Sequence, residues 1–575
     1  MRSSHRRFSG DRRRRQPPEP LSLVESARQG GGKLGKHRRA FLGDLDACLQ
    51  RRKRGTVAIL VDRESSALGQ LVEGSYPRAR VHTVDVRPSD SALHARLAAH
   101  GPYMVIVDDT GPKTNGVELF RNTFFHLSPR GVFVVRNLRP RTKSDESLWL
   151  HLSRLIDGRG RRGRAPKRWP RHDQSLSGAI GRVVLEGHHL LVTNRVRSLA
   201  KMREAEMNTV LALRSGKSGK VLETRPPVEF RSRCTLRESA EDRGLHMPDT
   251  YHVPELSLRE YHNVICTRGQ VAIQGNLLLP DTYRHNQYVS LGNRFTTNLS
   301  SGFAEPLQDV SRPGRLAGAY FHLDSEWPGH FGHSMTEQMS RLWAWDHAKR
   351  QEPDLKALLA LRPGRTELTD FEAGIFGAVG IDTSDVVLID RPVEVEKLIA
   401  ATPMFSNPDY VHPDITATWT TIGRSLASSA PAREYPKRIF CSRRLSRRLC
   451  HNVTDVEAVF AGHGFEVIYP EDFPFAEQAA MFRHAEVVAG FAGSALFSLC
   501  FCESPKRVIM ISSESYTARN EYMIASVLGH EIDVVWCKPD RPQAGNRRSM
   551  KTFLSGFTVD FDREGLYLKQ ILTSL

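Results

Sequence analysis

Short apolar runs alternate with helically spaced stretches along most of the chain. GTVAILVD (55–62), ARVHTVDV (79–86), YMVIVDD (103–109) and LSPRGVFVVRNL (127–138) are β-rich, and SALHARLAAH between the second and third has helical spacing. Strands alternating with helices predict a parallel, doubly wound sheet, so a Rossmann-like domain is expected over 55–200. Residues 201–250 are polar and mixed, and are expected to form a linker with some helix.

From YHNVICTRGQVAIQGNLLLPD (261–281) onward short strands and turns return, followed by GAYFHLD (318–324), a helix over 329–349, and further strands at 355–363, 385–390 and 397–403. A second α/β domain is expected over 251–425. The third, over 426–575, has the clearest pattern. KRIFCS, FEVIYP, EVVAG, RVIMIS and IDVVWCKP are strands separated by helical stretches, which predicts another Rossmann-like sheet. Thr454 and Glu457 have capping-box spacing at the start of its first helix.

Charge changes the picture at the N-terminus. Of the formal net charge of +18, residues 1–54 hold 16 Lys or Arg against 5 Asp or Glu, and 154–171 hold 8 against 1. Arg-, Pro- and Gly-rich and poor in apolar residues, both read as tail and loop. Residues 1–54 are therefore expected to be a basic disordered tail, suited to peripheral contact with an anionic membrane surface. Aromatic residues do not interleave, so no specific nucleic acid is expected. No apolar run is long enough for a membrane span or follows the basic start as a signal would, and a cytoplasmic protein is expected. The eight cysteines include no CxxC pair, which predicts reduced thiols and no structural zinc.

Ligands of open α/β sheets bind at the carboxyl ends of the strands. In the third domain those ends carry Arg443 and Arg444, then Glu471, then Gly490, Gly493 and Ser494, with Arg447, Arg448 and Asn452 on the approach to the first helix. Cations, a helix N-terminus with small residues and one carboxylate suit a nucleotide diphosphate, with Glu471 accepting from a ribose hydroxyl. In WPGHFGHSMTEQMSRLWAW (327–345), His330, His333, Glu337 and Arg341 fall within an arc of about 80° on one helix face.

Two resemblances follow. The 55–200 segment resembles a class I S-adenosylmethionine methyltransferase: LSPRGVFVVRNL matches a late strand with its PxG turn, and Asp85 stands where an acid holds the ribose. The turn after the first strand, VDRESSALG, has only Gly69 and lacks the glycines that let a cofactor approach the backbone. A methyltransferase-like domain without cofactor is expected.

The second resemblance is to the family 61 glycosyltransferases, over about 260–540. Arg443, Arg448, Asn452, Gly464, Glu471, Gln478, Ala485, Gly490 and Gly493 stand at the places of that family's C-terminal motifs, and His333, Glu337 and Arg341 at those of its earlier motif. The resemblance implies an α/β fold with a GT-B-like pair of Rossmann-type domains, here with an additional N-terminal Rossmann-like domain. It implies inverting sugar transfer from a nucleotide-sugar donor, usually a UDP-sugar, to a glycan or glycoconjugate acceptor in polysaccharide biosynthesis, with no metal or other cofactor required. Ala492 occupies a place where the family often has histidine. Inversion needs a base for the acceptor hydroxyl. His333 is the candidate, with Glu337 to orient it or serve in its place, Arg341 in support, and Arg443 and Arg448 on the diphosphate.

Other readings remain open. His330, His333 and Glu337 are the types that hold a hydrolytic metal, although the spacing is not HExxH. The missing glycine turn and Ala492 suit a non-catalytic nucleotide-sugar-binding or scaffold protein. An active methyltransferase fused to a transferase is the third.

Overall fold

The computed structural model describes residues 22–29, 36–50, 55–111, 113–138, 147–159, 166–239, 247–444, 447–542 and 549–575. The chain divides into two compact units, 1–198 and 199–575.

The first unit is built on a six-stranded sheet. Its order is Arg80–Asp85, Thr56–Val61, Tyr103–Asp108, Leu127–Val135, His189–Asn194 and Ile180–Glu186. The first four strands are parallel, and the last two form a hairpin whose inner strand is antiparallel to Leu127–Val135. Thr56–Val61 and Tyr103–Asp108 are buried at every position, as strands covered on both faces must be.

The sequence expectation of a disordered tail over 1–54 needs correction. Helices Leu23–Gln29 and Lys36–Gln50 lie within it, and Leu23, Phe41, Leu42, Leu45 and Leu49 are buried with Val57, Ile59 and Val105. Those apolar positions recur at helical spacing, so the second helix covers the sheet with one face and keeps its charge on the other. Residues 1–21, 30–35 and 51–54 of that segment, and 160–165 of the second basic run, lie outside the described residues.

The second unit holds two large sheets. One is mixed and eleven-stranded, with Gly314–His322 parallel to both Lys356–Ala360 and Val393–Ala401. The other is parallel and six-stranded, in the order Thr235–Glu238, Glu531–Cys537, Arg507–Ser513, Val487–Phe491, Arg438–Cys441 and Glu466–Ile468. The expected linker over 201–250 is corrected too. Gly219–Arg225 pairs with Leu256–Thr267 in the mixed sheet, while Thr235–Glu238 forms an edge of the parallel one. Short alternating segments surrounded by polar residues are what edge positions require, and they read poorly as strands. One buried apolar cluster runs through both sheets, from Leu258, Phe321 and Ile399 to Ile439, Val508 and Ile532.

The helix expected over 329–349 is not uniform. Its winding is α over Phe331–His333, π over Ser334–Gln338, 3-10 over Met339–Ala344 and α again over Trp345–Gln351. The capping box at Thr454 does not form. Helix Val453–Ala461 starts after Asn452, and Glu457 instead accepts from Ser442 Oγ (2.5 Å) and Tyr469 OH (2.6 Å).

Candidate functional site

In the parallel sheet of the second unit, strand order reverses between Arg438–Cys441 and its neighbour Val487–Phe491. The crevice beyond the carboxyl ends of two such strands is where an open sheet accepts ligands. Arg443 follows one strand, and the turn Ala492-Gly493-Ser494 follows the other.

Close backbone approach decides the glycines here. A Cβ on Gly490 would lie 2.7 Å from the carbonyl oxygen of Cys441, and Gly493 has φ +141°. Arg443 is committed to this frame. Its Nη1 donates to Ala492 O (3.3 Å) and its Nη2 to Arg448 O (2.6 Å), with the guanidinium over the Phe491 ring at 4.9 Å. Burial, with Arg448 nearby, pulls its pKa down to about 10.

Arg448 differs. Its guanidinium lies over Tyr516 at 4.6 Å and against Gly493, where a Cβ would sit 3.0 Å from Nη2. Its Nε and Nη1 are buried and have no hydrogen-bond partner among the described residues. It also holds φ +54°, an uncommon conformation for a residue with a Cβ. Buried donors without acceptors cost folding free energy and are met at sites that receive a polar ligand.

The turn is fixed from below by Glu521, whose Oε1 accepts from Gly493 N at 2.7 Å and from Tyr516 OH at 3.1 Å. Burial raises this carboxyl to about 7, even though the Gly493 N–H and Arg448 favour its charged form.

The helical segment that begins at Phe331 meets this turn. A Cβ on Gly332 would stand 3.2 Å from Ser494 Cβ and 3.4 Å from the Phe497 ring, so the chain at 332–333 lies directly against Ser494. His333 Nδ1 is 2.6 Å from Glu337 Oε1. Glu337 also meets Arg284 Nε at 3.0 Å and accepts from Ser325 Oγ at 3.0 Å. Burial alone would raise Glu337, but Arg284, His333 and Arg341 outweigh it and hold the carboxyl at about 2.

A carboxylate that acidic makes Nδ1 of His333 the protonated nitrogen, which leaves the lone pair on Nε2. The His333–Glu337 contact spans the junction of the α turn and the π turn over 334–338, and such turns often mark functional positions. Arg341 is buried and donates from Nη1 to the carbonyl of Glu337 at 2.9 Å, not to its carboxylate. Trp327 stacks on His333, with ring centroids 5.7 Å apart. His330 is exposed and precedes the helix. Among the described residues, His330, His333 and Glu337 do not form a three-ligand set.

Three of the other candidates are committed to partners of their own. The Asn452 amide is spent on the chain at Val559, donating to its carbonyl at 2.9 Å and accepting from its N–H at 3.0 Å. Gln478 donates to Phe473 O at 3.0 Å. Arg444 forms a two-point pair with Asp472 at 2.5 and 2.8 Å, and Glu471 is exposed beside it. Arg284, Ser325, Tyr516 and Glu521 were missed from the sequence. A lone acid inside the apolar helix NEYMIASVL was a readable signal for Glu521, whereas Arg284 lies 53 positions before Glu337 with no local pattern.

In the first unit the strand order reverses between Thr56–Val61 and Tyr103–Asp108, and charged side chains there pair with one another. Asp109 binds Arg63 Nη2 (2.5 Å), Ser66 Oγ (3.0 Å) and Arg136, while Asp62 Oδ2 accepts from Gly111 N at 2.6 Å. Asp85 is committed to Arg87 at 2.7–3.0 Å. Gly69 lies in the first turn of helix Ala67–Ser75, packed towards Thr83. These residues do not fit S-adenosylmethionine, because the acid expected at its ribose is taken and the glycine serves helix packing.

Residues 331–509 match the family model Glycosyltransferase 61. No curated protein matches the chain. Solved structures similar to parts of it include the MycE methyltransferase from the mycinamycin biosynthetic pathway in complex with Mg and SAH. That match has 17% identity and TM-score 0.25, covering 31% of this chain and 55% of that one. Another is the dodecameric iron-containing heptosyltransferase TibC in complex with ADP-D-beta-D-heptose, at 11% identity and TM-score 0.23, covering 55% of this chain and 94% of that one. The chain thus spans about half the length of the methyltransferases it matches. No helix among the described residues is long and apolar enough to cross a membrane.

Proposed function

We propose that the 199–575 unit is an inverting glycosyltransferase with a GT-B-like arrangement, moving a sugar from a UDP-sugar to a hydroxyl of a glycan or glycoconjugate. The observation that carries this reading is the contact between the two motif regions. Gly332 against Ser494 brings an acid-oriented histidine beside a glycine turn that holds a half-buried cation, two of whose donor nitrogens are buried and unmet among the described residues. The match to Glycosyltransferase 61 over the same residues supports it.

In this mechanism His333 Nε2 takes the acceptor proton as the acceptor oxygen bonds the anomeric carbon and the bond to the diphosphate breaks. Glu337 is too acidic to serve as the base at neutral pH. It holds the ring in the correct tautomer and stabilises the imidazolium. Arg448 and the first N–H groups of the Ser494–Phe501 helix take the charge that develops on the leaving diphosphate. Arg443 braces the turn. Nothing in this scheme requires a metal. The first unit, with its crevice closed, is read as a methyltransferase-like domain without cofactor, and the basic N-terminal segment as a peripheral contact for anionic membrane.

UDP release from a panel of UDP-sugars and glycan acceptors tests the reading. His333→Ala should lower kcat by about 10²–10⁴-fold while UDP binding stays near wild type. Full activity in that variant would remove His333 as the base.

A further inference from the structure

A second group of chemistry-bearing side chains lies in the first unit, far in sequence from anything used above. Helix Lys36–Gln50 carries His37 and Asp44 two turns apart, on one face. The hairpin of Ile180–Glu186 and His189–Asn194 pairs Glu186 with His189 across the turn Gly187-His188, where Gly187 takes φ +60°. The helix and the hairpin tip come together. Ligand atoms of Asp44, Glu186 and His189 all lie within 4.8 Å of one another. The His37 and His188 rings stand 4.9 Å apart beside them, and a Cβ on Gly187 would be 3.3 Å from His37 Nδ1.

We propose that this cluster binds a divalent transition-metal ion of the zinc class. The buried His189 with Asp44 at 2.7 Å would by itself make an ordinary hydrogen-bonded pair. That pair needs no second carboxylate. The Glu186 carboxylate converges on the same point as Asp44, and a cation between them relieves that like-charge approach. A mixed imidazole–carboxylate set suits Zn²⁺, whereas Mg²⁺ and Ca²⁺ prefer oxygen alone. The His189 ring is set edge-on to Phe41 at 5.7 Å, so one ligand is oriented before the ion arrives.

The full chain, stripped with a chelator and titrated with Zn²⁺ against a chromogenic competitor, tests this. About one ion per chain should bind, and Co²⁺ in its place should give the visible absorption of a low-coordinate nitrogen–oxygen site. Glu186→Gln, an exposed change that leaves the Asp44–His189 pair intact, should weaken binding at least tenfold. His37→Ala with His188→Ala, beside the three ligands rather than among them, should change binding less than Glu186→Gln does. Absence of stoichiometric Zn²⁺ binding, or wild-type binding by Glu186→Gln, overturns the proposal, because the ion would then be adventitious or held elsewhere.

Discussion

Two sheets in this chain reverse strand order between parallel strands at the same kind of place, yet their crevices end differently. Beyond Thr56–Val61 and Tyr103–Asp108, carboxylates are matched by arginines: Asp109 holds Arg63 and Arg136, and Asp85 holds Arg87. Beyond Arg438–Cys441 and Val487–Phe491, Arg448 is half-buried with two buried donor nitrogens unmet among the described residues, and Gly493 keeps its left-handed backbone against it. A topological switch point creates a crevice, but unmet polar groups decide whether it is a binding site. One crevice has been closed by its own side chains. The other is chemically unfinished.

The largest effect that distinguishes them should come from Arg448. Replacing Arg448 with Gln removes a charge-assisted partner for the diphosphate and should weaken UDP binding between about tenfold and a hundredfold. Calorimetric titration with UDP measures it. The matching change in the closed crevice, Arg63→Gln, should leave UDP affinity unaltered. Equal loss in both variants would mean that the nucleotide does not distinguish the two crevices.

Much of the fold was legible because buried strands announce themselves. YMVIVDD and RVIMIS are apolar at nearly every position and sit in the middle of their sheets. Gly219–Arg225 and Thr235–Glu238 were not legible, since an edge strand is polar on its exposed face and its partners lie far along the chain. The helix Lys36–Gln50 was hidden by composition, because basic residues around it outnumbered a correctly spaced apolar stripe. At the site, the local relation of His333 to Glu337 was readable from spacing. Arg284 was not, because a cation reaching a carboxylate 53 positions away leaves no periodic trace. Asn452 stands in a matching motif, yet its amide ties down the chain at Val559. Motif position alone could not separate a brace from a ligand-binding group.

A smaller effect concerns the support under the open turn. Burial raises the Glu521 carboxyl from 4.5 to about 7, so the folded protein holds that proton more tightly than the unfolded chain does. Its contribution to stability therefore falls as pH rises between about 4.5 and about 7, and is level outside that window. Glu521→Gln cannot titrate, and it retains an oxygen to accept from Gly493 N. Unfolding free energies from urea titrations at pH 5 and pH 8 should differ less in the variant than in the wild type, by about 2–3 kcal/mol. An unchanged difference would show that Glu521 does not titrate in the folded turn.

The smallest effect tests the closed crevice from its exposed side. Arg87 and Asp85 form a solvent-facing pair, and such pairs add little to stability because water and salt screen them. Arg87→Ala should leave the melting temperature essentially unchanged while freeing the Asp85 carboxylate. If Asp85 alone kept the crevice closed, this variant would acquire binding to S-adenosylmethionine, visible as ligand-dependent thermal stabilisation. We expect none, because Arg63, Ser66 and Arg136 still converge on Asp109, and Asp62 still holds the Gly111 N–H. Stabilisation of the wild type by S-adenosylmethionine would break the comparison altogether, since the first crevice would then be open. Stabilisation of the variant alone would sharpen it, by reducing the closure to one surface arginine.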